Sequence, residues 1–135
     1  MGEEIHGEIK IYYRGVDFLH IKRPIGLRLH PILQDWEGNY YELINKGGSI
    51  TVGFGGVDNL SPATRADLKR HPNPEPDEVL RVAKKNFLEA VEQFKKEVVG
   101  TRYRIYRRSK NCRGFKNYVL SRSLVENPEM GFLQA

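Results

Sequence analysis

The segment from Asp77 to Val99 places the tightest limit on the fold. Leu80, Ala83, Phe87, Val91, Phe94 and Val98 recur at steps of three and four. At 100° per residue they share one helical face, with Val79, Leu88, Ala90 and Val99 on its margins and Lys85, Glu89, Glu92, Gln93 and Lys96 opposite. Asp77 and Glu78 suit the positive end of such a helix, and Gly100 suits its C-terminal cap. Glu92 and Lys96 have the spacing of an exposed ion pair. The pattern predicts one long amphipathic helix over 77–99, with Phe87 and Phe94 in the core. A helix that is apolar on one side must bury that side against something.

The N-terminal half offers strands for it. Ile9, Ile11 and Tyr13 alternate with Glu8, Lys10 and Tyr12, and a second alternating run follows over 16–23, joined through an Arg14-Gly15 turn. Leu27, Leu29 and Ile32 suggest a short extended piece broken by Pro31. Residues 35–39, Asp-Trp-Glu-Gly-Asn, have turn chemistry. The clearest hairpin joins a strand at 40–44 to one at 49–54 through Asn45-Lys46-Gly47-Gly48. Ser61 then caps a short helix, with Pro62 in the first position and Thr64 to Arg70 following. Residues 71–78 carry three prolines and read as a rigid extended spacer between the two helices.

After Gly100 the pattern returns to period two. Residues 101–109 and 115–123 predict a closing hairpin around residues 110–114. With the more apolar faces turned inward, Arg102, Arg104, Tyr106 and Arg108 face out from one strand, and Lys116, Tyr118 and Arg122 from the other. The tail beyond Leu124 has little pattern; Leu124, Phe132 and Leu133 are its docking candidates. The expected architecture is a single α+β domain over 1–135. It has a mainly antiparallel sheet packed by one long amphipathic helix and one short helix, with a basic C-terminal hairpin.

Charge is the feature that speaks to function. The net charge is +5, and the excess sits at one end: residues 101–135 hold eight Lys/Arg against two Glu. The eight are Arg102, Arg104, Arg107, Arg108, Lys110, Arg113, Lys116 and Arg122, with no acid among them. Such asymmetry bears on partners rather than on fold. A nucleic acid, RNA or DNA, is the first candidate. Guanidinium groups engage phosphates bidentately, and exposed Tyr106 and Tyr118 would stack on bases. An acidic protein surface is the second candidate, and a solvated edge strand the bland one.

Other chemistry is thinly represented. The glycines of residues 47–56 lack the Gly-Lys-Ser/Thr ending of a P-loop and open no helix as a dinucleotide fingerprint does. Residues 26–56 resemble a strand region of phage-type lysozymes, where a glycine-bracketed aromatic follows a Thr. That resemblance implies a catalytic Glu just before Gly-Leu-Arg-Leu, but Ile25 stands there, and without the proton donor glycoside hydrolysis fails. His6, His20, His30 and His71 show no paired spacing for a metal, so neither metal nor cofactor is expected. His71, at a helix end, suits capping. An enzyme would have to draw on His20, His30, Asp35, Glu37 and Glu42 around Trp36. Cys112, the only cysteine, lies among cations that favour its thiolate, and it excludes an intramolecular disulfide. No apolar run is long enough to span a bilayer, and residues 1–10 lack the core of a signal peptide. The sequence therefore points to a small, non-catalytic, cytoplasmic binding protein. Its basic end would meet RNA or DNA; the alternatives are an adaptor or inhibitor docking an acidic partner, and an enzyme using the 35–42 region.

Overall fold

The structure, a computed structural model, describes residues 5–14, 30–102 and 112–125. Five antiparallel strands form one sheet: β1 (His6–Arg14), β2 (His30–Gln34), β3 (Tyr40–Lys46), β4 (Ser49–Gly55) and β5 (Glu78–Ala83), in spatial order β4-β3-β2-β1-β5. Three helices accompany it: α1 (Pro62–Arg70), α2 (Lys84–Val98) and α3 (Cys112–Ser123).

The β3–β4 hairpin forms where expected. Gly47 and Gly48 both adopt positive φ (61° and 92°), as a two-residue turn between right-twisted strands demands. Pro31 lies inside β2 rather than ending it. It is tolerated because β3 pairs with β2 only at Leu33 and Gln34, so no ladder bond to β3 is needed at Pro31. Ser61 caps α1 as predicted, accepting from the Thr64 amide at 3.3 Å. His71 is the C-terminal capping residue of α1.

One sheet face carries Ile9, Ile11, Leu33, Tyr41, Leu43, Ile50, Leu80 and Val82. α2 lays Phe87, Ala90, Val91, Phe94 and Val98 on that face, and α3 adds Phe115, Val119 and Leu120. Phe87 and Phe94 are buried, as the periodicity requires. Over the other face, the turn at Val57–Asn59 and the start of α1 approach β3 and β4. There a Cβ on Gly53 would stand 2.4 Å from the Asn59 carbonyl oxygen, so only glycine fits.

Two expectations are corrected. The helix expected over 77–99 begins at Lys84, because Glu78–Ala83 pairs with β1 as an edge strand. Leu80 and Val82 point inward while Val79 and Arg81 point out, a period of two that the Leu80–Ala83–Phe87 spacing disguised. Ala83 gives α2 no side-chain cap, so nothing local marks the junction. Asp77 and Glu78 serve Tyr13 instead of a helix dipole, accepting from its amide (2.8 Å) and its hydroxyl (2.9 Å). The spacer thus leads into a strand. On α2, Glu92 meets Lys95 (3.4 Å).

The second correction concerns the C-terminal hairpin. Its second strand is α3: Phe115, Val119 and Ser123, four residues apart, are all buried on one helical face, joined by Leu120. A spacing of four satisfies both periods, which is why alternation looked sufficient. Residues 103–111 lie outside the described residues, as do the strand expected over 16–23 and the tail beyond 125. Leu124 does dock, bridging Val82, while the Val125 amide donates to the Arg81 carbonyl (2.9 Å). No helix among the described residues is long and apolar enough to cross a membrane.

Candidate functional site

The basic segment starts on an anchored strip. The Ile50 amide donates to the Thr101 carbonyl and the Gly100 amide to the Ile50 carbonyl, both at 2.8 Å, and Arg102 bridges Ser49. The Thr101 hydroxyl closes back on Val98 at 2.6 Å. Arg102 is exposed at this corner beside β4. Arg104, Tyr106, Arg107, Arg108 and Lys110 lie outside the described residues, and Arg113 lies in the first turn of α3.

Lys116 and Tyr118 do not face water as a strand would have placed them. Lys116 Nζ donates to the Tyr13 hydroxyl (2.7 Å) and sits over that ring; Tyr13 in turn donates to Glu78. Tyr118 is half-buried, set edge-on against Phe94 with centroids 5.3 Å apart. The Arg122 guanidinium covers the Tyr118 ring at 3.6 Å. The ring is thus held between Phe94 and Arg122 and presents no open platform for a base. Arg122 itself is exposed in the last turn of α3.

The structure brings together a second cluster from the candidate acids and bases. Glu42 is wholly buried on the sheet face beneath α1. Its carboxylate accepts from His30 Nε2, from the Thr64 hydroxyl, and from the Ser61 amide (2.8 Å) and hydroxyl (3.0 Å). Burial pushes the Glu42 carboxyl up, but the hydrogen bonds from His30, Ser61 and Thr64 outweigh it and hold the group below its ordinary value. The geometry fastens β2 and α1 to β3. It supplies no activated nucleophile, because Ser61 and Thr64 donate to the carboxylate rather than to a histidine. The N-cap at Ser61 was readable, but its convergence with His30 and Glu42 depends on sheet register, which no local spacing encodes.

Asp35 is committed in the same way. It accepts from the Glu37 amide (2.9 Å), the Asn39 amide (3.0 Å) and the Tyr41 hydroxyl (2.7 Å). Burial, together with the Asp35 hydrogen bond, drives the Tyr41 hydroxyl far above its usual range. Trp36 closes the end of the core, edge-on to Phe87 at 5.8 Å and beneath Lys84. A shallow depression of about 480 Å³ beside it is lined by His6, Lys10, Gln34 and Trp36 among others. Among the described residues no three His, Cys, Asp or Glu side chains converge as metal ligands. Comparisons with protein-family models, with curated proteins and with solved structures return no match to this chain.

Proposed function

We propose that the protein binds nucleic acid, RNA or DNA, through phosphate contacts from the basic segment 102–122. The charge run carries this reading: eight cations without an intervening acid, seven of them between Arg102 and Lys116. Arg102 and Arg122 support it as exposed guanidinium groups on anchored backbone, one on the strip bonded to β4 and the other on α3. Arginine suits phosphate because its planar fork makes two parallel charge-assisted hydrogen bonds. With the half-buried Tyr118 ring covered by the Arg122 guanidinium, the mode favoured is backbone contact rather than base stacking, and that mode discriminates little between sequences. Catalysis is not part of the proposal, since the fold's own donors engage the carboxylates of Asp35 and Glu42.

Salt dependence tests it. A segment that neutralises roughly four to six phosphates should give log affinity against log salt a slope of about −4 to −5 on duplex. Fluorescence anisotropy with a labelled oligonucleotide measures this directly. Affinity that stays flat from low to moderate salt would remove polyanion binding as the role of these charges.

A further inference from the structure

The two edges of the sheet differ. β5 carries Glu78 and Arg81, and chain covers it where Leu124 bridges Val82 and the Val125 amide bonds Arg81. β4 reads Ser-Ile-Thr-Val-Gly-Phe-Gly, with neither a charge nor a proline. The outward amide and carbonyl of Ile50 are taken by Thr101 and Gly100. Backbone groups alternate along a strand, so Val52 and Phe54 point theirs the same way. Among the described residues nothing bonds them. The Phe54 side chain is 48% exposed and Val57 beyond it is 38% exposed. A bare, uncharged edge of this kind is a template for another strand.

We propose that the strand it takes is β4 of a second copy of this chain, paired antiparallel about a two-fold axis at Gly53. The open stretch runs from Thr51 to Gly55, bounded by the Gly100–Thr101 strip at one end and by the end of β4 at the other. Gly53 is its midpoint, so the stretch is its own complement in length. In this register Val52 faces Phe54 of the second copy, and Phe54 faces Val52 of the second copy. Each pair exchanges both of its outward hydrogen bonds and sets an aromatic ring against a β-branched side chain, a favoured cross-strand combination. Gly53 meets Gly53, where no side chain obstructs. The strand brings no like charges together, although each chain carries +5. The contact is isologous and closes at two copies.

Sedimentation equilibrium on the full chain tests this, with amide exchange as a second readout. The mass should rise with concentration from 15.6 kDa toward twice that value. The Val52 and Phe54 amides should exchange more slowly as the mass rises. Phe54→Pro deletes one outward donor without touching the ladder to β3, and Phe54→Lys keeps the donor but sets a cation on the edge. Each, once shown to be folded by circular dichroism, should weaken association at least about tenfold, because the two-fold makes every change twice: Phe54→Pro removes a donor from each copy, and Phe54→Lys sets two cations on the shared edge. A parent chain that stays at 15.6 kDa throughout the micromolar range overturns the proposal. So does association that persists at full strength in a folded variant, or amide exchange at Val52 and Phe54 that ignores concentration.

Discussion

Phe87→Ala is expected to destabilise the protein by ~3–5 kcal/mol, the range for removing a buried aromatic ring and leaving a cavity. Phe87 is fully enclosed, and its ring meets Tyr41 edge-on at 5.2 Å and Trp36 at 5.8 Å. It therefore ties α2 at once to β3 and to the turn that follows β2. The rigid neighbours collapse poorly into the space it leaves, which argues for the upper part of the range. A thermal melt should show the loss as a shift of roughly 10 °C or more. An unchanged midpoint would mean that α2 does not pack on this face of the sheet.

Glu42→Gln is expected to cost about 3 kcal/mol or more, because it removes a buried charge around which four donors are arranged. The amide offers one acceptor and two donors where the site needs acceptors only. His30 can change tautomer and the Thr64 hydroxyl can rotate, but the Ser61 amide cannot adapt. The pH dependence follows from the direction of the shift. The folded-state value lies below the ordinary 4.5, so the carboxylate's contribution is present above 4.5 and is lost as pH falls through the folded value. Acid titration of stability in the parent and in Glu42→Gln should therefore differ in slope below about pH 4.5, with the flatter curve in the variant. Identical slopes would show that Glu42 is not held ionised in the fold.

The parts of the fold legible in the sequence were those with local causes. Asn45 to Gly48 dictates the β3–β4 turn, Ser61 and Pro62 dictate the start of α1, and the stripe from Phe87 to Val98 dictates the apolar face of α2. The misread elements are those in which two periods coincide. Phe115 and Val119 satisfy both a strand and a helix, and it is the burial of Leu120 with the exposure of Asn117 that separates the two. Leu80 and Ala83 continue the rhythm of α2 although pairing with β1 holds them in a strand. Of the candidate site, the charge run was legible because charge is a property of composition. The enclosure of Tyr118 by Phe94 and Arg122 was not, since it follows from packing between α2 and α3. The Glu42 cluster was hidden for a related reason: His30, Glu42 and Ser61 lie twelve and nineteen positions apart and meet only across the sheet.

The most direct test of nucleic-acid binding removes charge where the reading places it. Arg104, Arg107 and Arg108 lie in the middle of the acid-free run. Each phosphate contact contributes about one to the salt slope, so replacing all three with Ala should bring the slope from about −4 to −5 down to roughly −1 to −2. The comparison is made by anisotropy on the same labelled duplex, with circular dichroism confirming that the variant is folded. A folded triple variant with unchanged affinity and unchanged slope would contradict the account.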